Sequence, residues 1–268
     1  MTRPPTTNLG RPWGRGRLLL LLGTIAGAAV VVVAELGLLV YTSLTTPLPP
    51  KTVTSGASAS PSGQALRDTL AAAPMLAVPE PDSRGGTPAA TPAPGIVVPD
   101  ATLLGPARVP SGFPHTPQGA IGQLAAIEIA VLSQMSVAGT GEVYRWWAAP
   151  DAPVLEQWPL LRHVQSFLAG ARMGPAKDPT TTIRLDPTGA QVKATDGPDW
   201  TIACVLLDAT VTIRTQARAG FGYCERMQWD PASQRWLIGP GTPPALAPST
   251  WPGTQLAQAA GWLTWTTP

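Results

Sequence analysis

The chain has 268 residues, 32 of them Pro and 27 Gly, and only 13% are charged. That balance excludes one compact globule spanning the whole length, a highly charged disordered chain and a long coiled coil. Net charge is +2, but Arg3, Arg11, Arg15 and Arg17 supply +4 with no acid among them, which leaves −2 for residues 18–268. A nearly neutral body has no general attraction for phosphate backbones, so no direct nucleic-acid contact is expected.

Residues 1–17 are a basic segment. Leu18 to Tyr41 follows as 24 residues carrying one charge, Glu35. As a helix it would extend ~36 Å, enough to cross a hydrocarbon core of ~30 Å. A cleaved signal peptide is the competing reading, but its apolar region should run only ~7–15 residues before a small-x-small site. Here the run before Glu35 is 17 residues and the Ala57, Ala59 site lies far downstream. The expectation is an uncleaved signal-anchor at 18–41. The N-terminal arginines then stay cytoplasmic and the C-terminal side is extracytoplasmic, in a single-pass membrane protein. Glu35 sits late in the span, where it reaches the outer interface or meets a polar partner in a neighbouring helix.

Residues 42–105 are rich in Pro, Ser, Thr, Ala and Gly. They read as a linker, because such a composition buries too little apolar surface to offset its ordering entropy. Gln64–Ala73 is the one helical patch in it, a transient helix or a docking segment.

Composition changes near Gly105, and residues 106–240 are expected to fold. Thr116 is an N-cap followed by Pro117 at the first helical position. Leu124, Ile127, Val131 and Met135 mark one face of that helix, which Gly139-Thr140-Gly141 should end. A second helix is expected over Glu142–Ala148 and a third over about 152–171, kinked or starting late at Pro159. After Pro179 the period shifts towards two. Thr180–Leu185 and Gln191–Ala194 read as a hairpin around Asp186-Pro187-Thr188-Gly189. Trp200–Arg214 and Ala219–Trp229 are long strands. A turn at Asp230–Ser233 leads to a last strand at Arg235–Ile238. Helices first and an antiparallel meander after argue α+β, with helices covering one face of a sheet. Residues 241–268 form a Pro-rich tail whose Trp251, Trp262 and Trp265 should pack back on the domain.

The stretch GPARVPSGFPHTPQGAIGQLAAIEIAVL (105–132), the long strands and WPGTQLAQAAGW (251–262) resemble an uncharacterised family of actinobacterial membrane-anchored proteins associated with conjugative elements. The layout also resembles the VirB8 and TcpC class of conjugation subunits: a short cytoplasmic end, one span, a linker and an NTF2-like outer domain. TcpC-like proteins carry two such domains; this chain has room for one. The resemblance implies an NTF2-like domain at 106–240, helices packed on a curved antiparallel sheet. It also implies a non-enzymatic assembly subunit of a type IV secretion-like DNA-transfer apparatus, without cofactor or metal. Its partners would be other subunits or further copies of itself.

Cys204 and Cys224 are the only cysteines. They stand ten residues either side of Arg214, so a turn centred there places them opposite one another. They form either a cross-strand disulfide or two buried thiols. His115 and His163 are the only histidines and have no Cys or carboxylate at metal-ligand spacing. His115 reads as a local hydrogen bond at the helix start, and His163 as half exposed on the third helix. No GxSxG or phosphate loop is present. Asp199 and Asp208 flank the long strand, too little to argue glycoside cleavage. Nine of ten Trp stand at or after residue 146. Trp146, Trp147 and Trp200 line a cleft for wall glycan or a small ligand, or else fill a core or a partner interface. An extracytoplasmic binding module is therefore the alternative to the assembly subunit. An enzyme would need an acid or His inside an apolar cavity.

Overall fold

The computed structural model describes residues 63–268. The span expected at 18–41 and the linker up to residue 62 lie outside them. Among the described residues no helix is long and apolar enough to cross a membrane.

The body is α+β, built on a curled six-stranded sheet. Its centre is an antiparallel meander of β4 (Thr182–Thr195), β5 (Trp200–Thr212), β6 (Gln216–Asp230) and β7 (Arg235–Ile238). Two short strands extend the β4 side. β8 (Leu263–Thr266) pairs antiparallel with β4, and β1 (Gly95–Val97) pairs parallel with β8. Away from the sheet, β2 (Leu103–Leu104) and β3 (Pro110–Ser111) form a small antiparallel pair.

β5 shows why the sheet sits in the middle. Trp200 to Asp208 is buried without interruption, which alternation on a half-solvated sheet would not allow. Its odd positions, Ala203, Val205 and Leu207, join the core beneath α2 (Pro117–Gln134), α3 (Val137–Trp147) and α4 (Pro159–Gly170). Its even positions, Trp200, Ile202, Cys204 and Leu206, join a second core with Ala71 of α1 (Gln64–Ala72) and Ala257 of α5 (Gln255–Ala259). Both faces are covered, where the sequence led us to expect one.

The boundary expected at residue 105 moves accordingly. From residue 63 the Pro-rich segment is part of the body rather than a tether. Val98 is fully buried and Ile96 nearly so. Its backbone is tied to the tail: Gln255 N–H donates to Thr87 O, Trp251 N–H to Asp82 O and Val98 N–H to Thr266 O. Composition missed this because the segment contributes little apolar surface of its own. It shares that of the tail, whose Trp262 is buried and donates from Nε1 to Pro248 O at 3.0 Å.

Three local readings change as well. α2 begins as expected, Thr116 Oγ1 accepting from Gly119 N–H at 3.1 Å. It stops earlier, at Met135 with φ 41°, because Ser136 caps a new helix that runs through Gly139 and Gly141. α4 starts late, with Pro159 in its first turn. The expected hairpin at 186–189 is instead a register shift inside one strand between Pro187 and Gly189. β5 offers an unbroken partner there, and a bulge tolerates a residue without an N–H.

Candidate functional site

β5 and β6 pair with Cys204 directly opposite Cys224, the turn falling around Arg214. A disulfide joins the two cysteines, with Cα atoms 4.1 Å apart. It lies in the outer core, with Met75 Sδ 3.6 Å from Cys224 Sγ.

The three singled-out Trp are not brought together. Trp200 packs in the outer core, with the Arg67 guanidinium 5.4 Å from its ring centroid. Trp147 is fully buried in the inner core and donates from Nε1 to Pro106 O at 3.2 Å. Trp146 is 51% exposed beside it. The neighbouring β2 leucines, Leu103 and Leu104, are each 68% exposed. Gly105, next to Leu104, lies so close to the Trp147 ring that a Cβ there would meet it at 2.8 Å.

The two aspartates take separate partners. Asp199 Oδ1 lies 2.7 Å from His115 Nε2, and the His115 ring stacks on Trp229 at 4.3 Å. Asp208 accepts from Arg218 Nε at 2.8 Å, near the opposite end of β5. They share no site.

The main hollow of the body is a cavity of about 860 Å³. The C-terminal part of α2, α4 and the curled ends of β4, β5 and β6 enclose it. Leu132, Phe167, Leu185, Val211 and Phe221 form its inner wall. Two straps complete it: residues 74–78, leading away from α1, and 243–249 of the tail. Gly220 and Gly222 let the tail strap lie flat on β6, since a Cβ at Gly220 would stand 1.9 Å from Thr250 O. Leu76 and Leu246 remain exposed where they line it. A second hollow beside β1, β8 and Gln118 is wider open and more evenly polar, so the first is the better enclosed site.

His163 lines the cavity, edge-on to Phe221 at 5.3 Å. Burial lowers its pKa, with the nearby Arg162 charge acting the same way, so its neutral form is favoured.

Deeper in the same core is a pair of glutamates. On α2, Glu128, Leu132 and Met135 follow at helical spacing, so Glu128 stands one turn inward of the two cavity residues. Glu128 is 0% exposed, and both its carboxyl oxygens are sealed without a hydrogen-bond donor. Burial lifts its pKa well above the carboxylate range, and Glu225 adds to the rise. Glu225, on β6, is better supported. Tyr223 OH donates to Oε2 at 2.6 Å, Trp158 Nε1 to the same oxygen at 2.9 Å, and Arg226 N–H to Oε1 at 3.0 Å. Burial still raises it, while those donors pull the other way. Tyr144 is pushed up to about 12 by burial and by Glu225. The arrangement favours a proton on Glu128, while on Glu225 the donors oppose the rise that burial imposes.

Neither glutamate was singled out from the sequence. The signal was the placement of Glu128 among Leu124, Ile127 and Val131, on a face with no business holding a charge. The buried Arg226 was missed for the same reason. It donates from Nε to Thr242 O at 2.7 Å and meets Asp68 of α1 at 2.8 Å.

Among the described residues no group of three or more His, Cys, Asp or Glu could hold a metal ion. No family model, curated protein or solved structure matches the chain.

Proposed function

We propose that the protein is an extracytoplasmic binding module, held at the membrane by the apolar segment at 18–41, whose body is a non-enzymatic NTF2-like domain. The curled sheet with helices in its concavity supports the fold reading. The observation that carries the function is the apolar cavity of about 860 Å³, within the ~300–1,000 Å³ usual for small-molecule sites. Titration with a neutral solvatochromic dye tests the proposal. Saturable binding that Phe221→Trp or Leu185→Trp weakens would support it; a dye signal indifferent to both would refute it.

A second reading is an assembly subunit of a conjugative DNA-transfer apparatus. The exposed Leu103, Leu104 and Trp146 favour it, because large apolar side chains left at the surface are what a contact with a partner would cover. The resemblance of the 105–132 phrase points the same way. Purification in mild detergent should then yield partners or oligomers that Trp146→Ala and Leu103→Ser diminish. A monomer without partners would count heavily against it.

A further inference from the structure

We infer that the cavity takes a hydrocarbon chain of a membrane lipid, drawn from the outer leaflet of the bilayer that anchors the protein. The inference rests on the binding reading above and narrows it to one ligand class and one source.

The wall argues for the class. No lysine or arginine lines the cavity, and Glu80 is its one carboxylate. That carboxylate is already paired with Arg84. An anionic headgroup would find no Lys or Arg inside, whereas an alkyl chain would meet Leu, Ile, Val, Met and Phe side chains along most of the wall. Both straps offer an exposed leucine, Leu76 at 43% and Leu246 at 84%. Apolar residues left wet around a hollow form a track along which a chain can enter without exposing itself to water.

The covalent layout argues for the source. Residues 42–62 are all that separates the expected span from the first described residue. As a coil they would cover only ~25 Å on average. The nine-residue α1 follows, and the strap at Met75–Val78 comes directly after it. In sequence, this strap is therefore the part of the cavity wall nearest the expected span.

Full-length protein reconstituted in phosphatidylcholine vesicles doped with a diazirine-acyl phosphatidylcholine tests this. After illumination, lipid adducts should map to the 74–78 strap and to β6 around Phe221, besides residues 18–41. Ala209→Trp and Ala219→Trp each add bulk at two facing positions that line the cavity. Either should abolish the body adducts and leave those in the span. Retention of the Cys204–Cys224 bond and of the circular dichroism spectrum identifies which variants are folded. Soluble n-alcohols supply a second measure: displacement of the neutral dye should strengthen about fourfold per added methylene. Adducts confined to 18–41 would overturn the lipid source. If the dye is then still displaced by alcohols, the binding module survives that failure; if nothing apolar binds, both readings fall. Body adducts that persist in both folded Trp variants would also overturn the proposal, since they would lie elsewhere.

Discussion

Breaking the Cys204–Cys224 bond should lower stability by an amount the chain itself sets. The bond closes a loop of sequence separation 20. The chain-entropy relation for a loop of that length gives ~3 kcal/mol at 25 °C. For a body of this size each kcal/mol moves the midpoint by ~2–4 °C, so reduction should lower Tm by ~6–12 °C. Reducing the wild type isolates the cross-link better than substitution, because both sulfurs stay in the outer core beside Met75. The assay is thermal unfolding followed by Trp fluorescence, with and without reductant applied under denaturing conditions before refolding. A thiol titration of the denatured, unreduced chain runs alongside. Two reactive thiols in that titration would show that no bond exists. Equal midpoints despite an intact bond would refute the loop-entropy argument, and would mean that the β5–β6 hairpin already restrains the unfolded chain.

Three other outcomes follow from the packing. Glu128 has a folded pKa raised above its unfolded value. Its unpenalised, protonated state is fully present below the unfolded pKa, and stability is lost as pH rises from there through the folded pKa. Glu128→Gln should therefore raise Tm at pH 7.5 more than at pH 4 (within ~1 °C of wild type there); a gain equal at both pH values would contradict a buried acid. Arg226→Met leaves Asp68 and Thr242 O without their cation, and should cost ~3 kcal/mol. It should also open residues 64–90 to protease before the sheet unfolds; simultaneous cleavage everywhere would show that α1 is not independently released. Gly220→Ala places a Cβ against Thr250 O and should cost ~1–3 kcal/mol while shifting the tail strap. Dye affinity should fall with it, and unchanged affinity would separate the strap from the cavity.

The meander and the capped helix were legible because their signals are local. Thr116-Pro117 announces a helix start, and the spacing of Cys204 and Cys224 about Arg214 already contained the β5–β6 register. What escaped notice depends on partners distant in sequence. β1 is three residues long and exists because Gly95–Val97 finds Thr264–Thr266. The second helical layer exists because α1 meets the even face of β5, whose nine-residue buried run was visible in WTIACVLLD but was read for one face only. The cavity was not legible at all. Its wall comes from seven separate stretches, and none carries a motif. Of the two glutamates beneath it, Glu128 betrays itself in sequence only by its place among Leu124, Ile127 and Val131, and Glu225 looks like any other acid on a strand. Only its depth distinguishes the latter.

The parallel pairing of β1 with β8 has a bearing on how such a chain is made. β1 touches the sheet through β8 alone, so its place stays vacant until the residues after Trp262 have emerged. As the chain is synthesised from its N-terminus, Gly95–Val97 must wait, unpaired, while some 160 further residues follow. That order of events makes closure of this edge of the sheet a late step. Loss of Leu263–Thr266 would therefore injure the beginning of the body as much as its end.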